Sequence, residues 1–305
     1  MAGLKNIKLK IQSVGKTRKV TRAMEAVSAV KMRKAQERAL NARPYAAAAL
    51  SILERISHGT DIKAHSLMQA RPGKTAVVIV TSDKGLAGAL NSAAIKQAER
   101  AISDRRLTPA SAVLFCIGRR GADYFATRGF DVRERRENVS DAVSEADMRT
   151  VTDAILALRE VGEVGDAVVI YTNFLSTFEQ RPVVRQILPV TSNTIRDMVE
   201  GIAPVKGKFA RVHIPMIGSS VAYTIEPSSR EILDAVMPKI LGVAIFHALL
   251  EAKASEHSAR MVAMKNATDK ARDVSKELTL KYNKARQAAI TREVSEITSG
   301  IEAMR

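Results

Sequence analysis

The chain has 305 residues, which suits one or two domains, and its 46% hydrophobic and 26% charged residues exclude wholesale disorder. A single cysteine excludes a disulfide scaffold, and five histidines without an HExxH pattern or close pairing argue against a metal enzyme. The net charge of +16 is concentrated at the start, where residues 1–43 hold twelve Lys and Arg against two Glu, so we expect an acidic partner.

The first segment has the spacing of a helix. Its apolar residues recur at steps of mostly three or four, which predicts one buried helical face: Leu4, Ile7, Ile11, Val14, Val20, Met24, Val27 and Val30. Pro44 is expected to bend or restart this helix, which should close at Gly59.

The middle of the chain alternates between strand and helix patterns. Unbroken apolar, largely β-branched runs at 76–81, 112–117 and 167–172 predict strands buried on both faces, as in a parallel sheet. Helical patterns at 92–105, 121–128 and 146–160 separate or flank them, and residues 183–190 form a fourth candidate strand. This alternation predicts an α/β fold, a doubly wound, Rossmann-like central domain. Residues 191–220, rich in Gly and Pro, have no clear pattern.

The last segment predicts the longest helix. Residues 243–299 contain neither Gly nor Pro, and a strict 4,3 step forms a heptad seam with small and polar members: His257, Met261, Met264, Thr268, Ala271, Ser275, Leu278, Tyr282, Ala285 and Ala289. If this helix pairs with the first one, the two must run antiparallel, as a long coiled coil of the N- and C-terminal helices. The predicted organisation is a shaft helix at 1–58, a central α/β foot at 74–225 and a second shaft helix at 226–305.

No segment has the signature of a membrane span or a secretory signal. The longest apolar run, 240–250, is interrupted by His247 and falls short of the roughly 20 residues that a span needs. The basic start of the chain imitates a mitochondrial presequence, but its helical pattern continues past Glu25, so we interpret it as mature structure.

The candidate chemical sites are weak. The turn at 81–91 contains Gly85 and Gly88 and follows a strand, an arrangement that can cradle phosphate, but it fits neither GxGxxG nor the Walker A pattern. Cys116 lies inside an apolar strand, where an inert buried thiol is expected. His257 lies on the seam, which favours a packed imidazole. We therefore predict no catalytic, cofactor-binding or metal-binding residue.

The basic first helix can meet nucleic acid, anionic lipid or an acidic protein surface, or it can expose its charged face to solvent without a partner. A long basic helix can contact the phosphates of RNA or another polyanion. It has no aromatic residue before Tyr45 on which a base could stack, and an acidic protein surface fits the same charge.

Several motifs recur in a familiar order. They are 11–14, 17–25 and 30–36 followed by Arg43-Pro44-Tyr45, then 82–91, 225–227, 255–257, 260–268, 282–287, 290–293, 296–297 and Gly300. Together they resemble the gamma subunits of F-type ATP synthases of the bacterial type, over nearly the whole chain. The turn at 82–91 is similar to the family's SDRGLCGGLN, with Ala87 and Ala89 substituted.

The resemblance implies a rotor shaft. In that family the terminal helices enter a hexameric ring of alpha and beta subunits, and the foot contacts the epsilon subunit and the membrane-embedded c-ring. Ion flow turns the shaft, which drives the catalytic beta subunits through their conformational cycle for ATP synthesis or hydrolysis. The resemblance therefore implies a non-catalytic subunit without cofactor, touching the membrane only through the c-ring, on the cytoplasmic side of a bacterial inner membrane. Binding of nucleic acid is the alternative.

The resemblance also assigns contacts residue by residue. Met24 is expected to meet a beta lever loop, and Lys84 to lie within reach of a lever tip. Arg286 and Gln287 are expected to make polar contacts to the beta catch region, and Thr291 belongs to the same partner-contact set. The c-ring contact is expected within 212–223.

Overall fold

The elements follow the chain order that the sequence predicts, with one added strand. The computed structural model describes residues 2–57, 65–191, 194 and 228–304; most of 191–220, the c-ring expectation at 212–223 and Gly59 lie outside them. The helices are α1 (Ala2–Ser57), α2 (Leu90–Asp104), α3 (Arg119–Ala126), α4 (Glu145–Glu160) and α5 (Ser229–Ala303). The strands are β1 (Lys74–Val80), β2 (Ala112–Ile117), β3 (Asp131–Arg136), β4 (Val164–Phe174) and β5 (Gln180–Leu188).

The strands form one mixed sheet in the order β3-β2-β1-β4-β5. The first four run parallel and β5 runs antiparallel to β4. The three predicted apolar runs lie in the neighbours β2, β1 and β4, where both faces of the sheet are covered. The chain passes from β1 outward through β2 to β3 and then returns to the other side of β1, so the doubly wound, Rossmann-like prediction is confirmed.

Strand β3 escaped the sequence analysis because its side chains are charged. Its sequence is DVRERR, and alternate side chains are exposed at the edge of the sheet. The backbone pairs with β2 regardless of side-chain chemistry. Arg133 pairs with Asp131 and with Glu163, each at 2.9 Å, and such charges protect an edge strand from pairing with another chain.

Helices cover the sheet on both faces. On one face, strand residues such as Val77, Ile79 and Leu114 pack with Ala98 of α2 and Phe125 of α3. The other face packs with α4 and α5 and contains Val78, Phe115, Ile155, Leu241 and Ile245.

Both terminal helices continue through their prolines. Helix α1 has 56 residues and runs past Pro44, so the predicted restart of the helix there is wrong. Helix α5 has 75 residues and includes Pro238, which removes only one backbone hydrogen bond while its neighbours Met237 and Ile240 are buried. Ser228 begins α5 by accepting a hydrogen bond from the Glu231 N–H at 3.2 Å, as an N-cap residue does.

Helix α5 is also apolar enough, by length and composition, for a membrane span. An 18-residue window within Arg230–Ile301 has a mean hydropathy of 1.7, and 44% of that window is buried. Leu241, Ile245 and Leu249 of this helix are 0 to 1% exposed in the sheet core. Their apolarity is therefore that of a core helix.

The chain divides into two compact units. One comprises Met1–Ser28 and Arg260–Arg305, and the other comprises Ala29–Ala259. Within the larger unit, Lys31 of α1 and His257 of α5 bind one carboxylate, that of Asp141. Arg38 of α1 and Lys253 of α5 donate to carbonyls of the same loop. The residue numbers rise along α1 while those opposite fall along α5, so the predicted antiparallel coiled coil is confirmed.

Candidate partner-contact sites

The predicted seam on α5 is present. Past Arg260, Met264 and Ala271 are buried, and the other predicted seam positions are partly buried. Between Leu278 and Ala289 the seam residues alone are partly covered, and every residue between them is exposed. A 3.5-residue period keeps one stripe of a helix against its partner, which is the pattern observed.

On α1 the predicted face is confirmed at five positions, which are partly buried, and wrong at three valines. The five partly buried positions are Leu4, Ile7, Ile11, Val14 and Met24. Val20 and Val27 were expected on the buried face, but they are 58% and 55% exposed, and Val30 is 56% exposed. Thr21 and Ser28 are buried instead, at 8% and 3% exposure. Small polar side chains allow the two helix backbones to approach closely. At these positions of the seam, a small side chain therefore matters more than a hydrophobic one.

A hydrogen bond fixes this close approach. The hydroxyls of Thr21 and Thr268 lie 2.7 Å apart. Each hydroxyl is also within reach of a carbonyl of its own helix, Arg18 at 3.1 Å and Met264 at 2.8 Å. The two threonines therefore satisfy one another without a water-filled gap.

The end of α5 exposes its apolar residues. Every side chain that the structure describes from Ile290 to Met304 is exposed. The large apolar members are Ile290 at 51%, Val294 at 56%, Ile297 at 63%, Ile301 at 61% and Met304 at 90%. An exposed apolar stretch of this length marks an interaction site.

The predicted contact residues on the helices lie at separate levels. Met24 is half-buried on α1, one helical turn from Thr21. Arg286, Gln287 and Thr291 are exposed on α5, and the Thr291 hydroxyl donates to the Gln287 carbonyl at 3.0 Å. Arg286 is 18 residues beyond Thr268, or about 27 Å along the helix, so the structure does not bring Met24 and Arg286 together.

The turn that carries Lys84 is held by side chains. The Asn91 carbonyl oxygen accepts from the Ser82 N–H at 2.9 Å, and the Asn91 amide donates to the Ser82 hydroxyl at 2.7 Å. Leu86 and Gly88 adopt positive φ values of 64° and 58°, which allow the chain to turn into α2. Lys84 and Leu86 are exposed on this ordered turn.

Asp83 ties the turn to its neighbours. Its carboxylate accepts from the Arg119 N–H and from the Asn138 N–H, both at 3.0 Å. Arg119 lies just after β2 and Asn138 just after β3, so the two hydrogen bonds join the turn to both of these segments. Asp83 is therefore a structural carboxylate of this turn.

Helix α5 occupies the place where open α/β sheets usually bind ligands. That crevice lies at the carboxyl ends of β1 and β4, where the strand order reverses. A small cavity there is lined by Ser82 and Thr172 from the sheet side and by Leu249, Lys253 and Glu256 of α5. The turn of Gly85 and Gly88 therefore faces a covered crevice, which does not favour a dinucleotide site.

The two single-residue candidates are packed. Cys116 is fully buried in β2, and burial raises the pKa of its thiol to about 12, so it is inert at neutral pH. His257 is 3% exposed and its Nε2 lies 2.8 Å from Asp141. In the described part of the chain, no group of three His, Cys, Asp or Glu side chains has the geometry to hold a metal ion.

Comparisons with known proteins agree on one family. A family model described as ATP synthase matches residues 3–304. The ATP synthase gamma chain of Pelotomaculum thermopropionicum is 36% identical over 305 residues, with 100% of both chains covered. That of Symbiobacterium thermophilum is 39% identical over 305 residues, with 99% of this chain and 98% of the relative covered.

The chain belongs to the ATP synthase gamma-chain family. The predicted function, that of the central rotor shaft of an F-type ATP synthase, is confirmed by this membership, and the polyanion-binding alternative gains no support. Gamma chains are non-catalytic subunits of a membrane-associated complex.

Solved structures share the fold of this gamma chain. A chain from the cryo-EM structure of the Euglena gracilis mitochondrial ATP synthase, OSCP/F1/c-ring, superposes with a TM-score of 0.64 at 16% identity, covering 99% of this chain and 95% of that one. The Tetrahymena thermophila central stalk/c-ring structure gives a TM-score of 0.56 at 21% identity, covering 81% of this chain and 99% of that one.

Proposed function

We propose that the helix pair of this gamma chain turns inside a ring of alpha and beta subunits while its α/β foot is carried by the epsilon subunit and the c-ring. The complex then lies on the cytoplasmic side of a bacterial inner membrane. In this proposal the shaft segments are 1–58 and 226–305, and the foot is 74–225.

One observation carries the proposal. Helix α5 buries its residues on nearly every side at 248–258 but exposes every described side chain beyond Ala289, including four Ile and Val residues and Met304. Such a helix end needs an apolar sleeve to remove it from water. A ring of subunits around the tip supplies such a sleeve, so no second helix of this chain is needed to cover the end of α5.

Charge supports the same partners. All seven Lys and Arg of α1 between residues 4 and 28 are exposed: Lys5, Lys8, Lys10, Lys16, Arg18, Lys19 and Arg22. A cationic helix favours acidic loops on a surrounding ring, and charge complementarity of this kind fixes register and partner choice.

The shaft moves the ring by unequal contact. A rotor changes the conformation of a beta subunit only if its contacts stabilise one conformer more than another. Met24, Lys84, Arg286, Gln287 and Thr291 are the proposed contacts to the alpha and beta subunits. Their different levels along the chain give the ring several places to sense the angle of the shaft.

The test of the tip uses the assembled complex in proteoliposomes. Val294, Ile297 and Ile301 are replaced together by Asp, and ATP hydrolysis and ATP-driven proton pumping are measured in parallel. We expect pumping per ATP to fall while hydrolysis persists, because charged residues cannot remain in an apolar sleeve. The control replaces the exposed polar residues Arg292, Ser295 and Thr298 of the same helix with Ala. Equal pumping per ATP in both variants contradicts a sleeve at the tip.

The test of the Met24 contact introduces a positive charge at this position. Met24→Lys places a cation beside the lever loops, and we expect coupling to drop while hydrolysis continues. Met24→Leu, which keeps the volume, is expected to behave like the wild type. Unchanged pumping per ATP in Met24→Lys argues against this contact.

A further inference from the structure

The loop between β3 and α4 touches both terminal helices. Asp141 lies in this loop, inside the larger unit. Its carboxylate lies 2.7 Å from the Lys31 ammonium of α1 and 2.8 Å from His257 Nε2 of α5. The Lys253 ammonium of α5 lies 4.0 Å from the same carboxylate. One side chain thus joins three elements that are far apart in sequence.

The backbone of the loop adds two more bonds. The Arg38 guanidinium of α1 donates to the Asp141 carbonyl, and the Lys253 ammonium of α5 donates to the Val139 carbonyl at 2.9 Å. Each helix therefore holds the loop at two levels. Two attachments along a helix oppose its rotation about its own axis, which a single ion pair does not.

These contacts differ from ordinary surface ion pairs. The side chains of His257, Lys253 and Asp141 are 4%, 11% and 32% exposed, so most of the cluster is removed from water. Burial raises the pKa of Asp141, but hydrogen bonds from Lys31 and His257 together with nearby positive charge outweigh it and lower the pKa to about 2. The carboxylate is therefore ionised at any physiological pH.

The loop has particular importance for α1. Helix α5 is held to the sheet core by a long series of buried apolar residues, from Leu233 to Ala252. Among the residues whose side chains the structure describes, α1 contributes only Ala39 to that core. Met32 and Ala35 of α1 are buried as well. The polar contacts of Lys31 and Arg38 add an attachment of α1 to the α/β domain that does not depend on apolar burial.

We propose that Asp141 is a positioning residue that clamps α1 and α5 to the α/β domain so that all three turn together under load. This inference rests on the proposed rotor function. Without the clamp, α1 is free to slip against the domain, and part of the torque is lost when the rotor works against a proton gradient.

The experiment uses the whole complex in proteoliposomes, with Asp141→Asn and Asp141→Ala. Hydrogen exchange is measured at 29–39 of α1 and at 245–258 of α5, and proton pumping per ATP is measured against an increasing opposing gradient. We expect exchange in α1 to rise about tenfold with little change in α5. We expect pumping per ATP to match the wild type without a gradient and to fall about twofold against a steep one.

The controls separate clamping from general stability. Asp131→Asn removes a carboxylate that pairs at 2.9 Å with Arg133 of the same strand, and it is expected to change neither measurement. Lys31→Gln removes one arm at a side chain that is 46% exposed, so this variant remains informative if the Asp141 variants fail to assemble. Asp141→Glu keeps the charge and is expected to restore most of the coupling under load.

Two results overturn the proposal. One is unchanged exchange in α1 of the Asp141 and Lys31 variants, which means that no clamp exists. The other is faster exchange with wild-type pumping at every gradient, which means that the contact serves stability only. Neither result affects proton pumping by the wild-type complex, so the proposed rotor function stands in both cases. A wild-type chain that does not co-purify with ring subunits contradicts the rotor function itself.

Discussion

Helix α5 behaves as two different helices along its length. In the larger unit, its residues from Ala248 to Ser258 are buried on nearly all sides and include Leu249, Leu250 and several charged groups. In the helix-pair unit, past Leu278, only the predicted seam positions are partly covered. The secondary structure is the same, and what changes is the number of neighbours.

The difference shows how stability is distributed. Burial contributes about 25 cal/mol per Å² of apolar surface, so a core of Leu, Ile, Val and Phe stabilises far more than a seam of Ala, Thr and Ser. The helix pair is held together by close approach along a narrow stripe. This arrangement suits a segment that must fit inside another body.

The largest expected effect comes from the core. Phe115→Ala removes a ring that is fully buried in β2, and we expect the free energy of unfolding to fall by about 3 to 5 kcal/mol. Leu280→Ala, at a side chain that is 71% exposed on α5, is expected to change it by less than about 0.5 kcal/mol. Urea denaturation of the purified chain measures both values. If both variants lose similar free energies of unfolding, the contrast between the sheet core and the exposed part of α5 is wrong.

A buried cation gives the next effect. Arg159 is 2% exposed, and its guanidinium donates to the carbonyls of Gly165, Ser66 and Gln69 at 2.6 to 2.8 Å. Arg159→Ala removes the donor from three carbonyls, so we expect a loss of about 3 kcal/mol in the same measurement. Arg159→Lys keeps a charge with a different donor geometry and is expected to lose less. If Arg159→Ala leaves the free energy of unfolding unchanged, water satisfies the three carbonyls in place of the guanidinium.

Acid is expected to weaken the larger unit through Asp141. Its folded pKa of about 2 lies below the ordinary 3.8, so its contribution is present above about pH 4 and is lost as the pH falls toward 2. The contribution is on the order of 1 kcal/mol, because a third of the side chain remains exposed to water. Urea denaturation of the wild type and of Asp141→Asn between pH 7 and pH 2 measures it. The gap between the two is expected to close below about pH 4, and a constant gap contradicts the assignment.

The smallest effect belongs to the helix pair. Thr21→Ala removes the hydrogen bond to Thr268, and we expect a loss of about 0.5 to 1 kcal/mol. The cycle with Thr268→Ala and the double variant, followed by thermal denaturation, isolates the energy of the pair. Strictly additive losses show that the two hydroxyls do not stabilise one another.

Prediction from the sequence succeeded where local pattern and packing agree. The runs at 76–81 and 112–117 are apolar on both faces, which predicted buried central strands, and β1 and β2 confirm them. The seam of α5 was found because a strict step selected small residues along with large ones. On α1 the predicted face is partly buried from Leu4 to Val14, but Val20, Val27 and Val30 are exposed. Thr21 and Ser28 are buried in their place.

The amino-acid sequence by itself determined the helices at both ends, the buried parallel strands, and, through its motifs, the family. The tertiary structure alone decided that Thr21 and Ser28 are packed on α1 where valines were expected, and it alone decided the pairing of the charged strand β3 and the clamp at Asp141. Lys31, Asp141 and His257 are separated by more than a hundred residues at each step. No periodicity in a chain reports a contact of that range, because such a contact exists only after the sheet has brought the loop between the two helices.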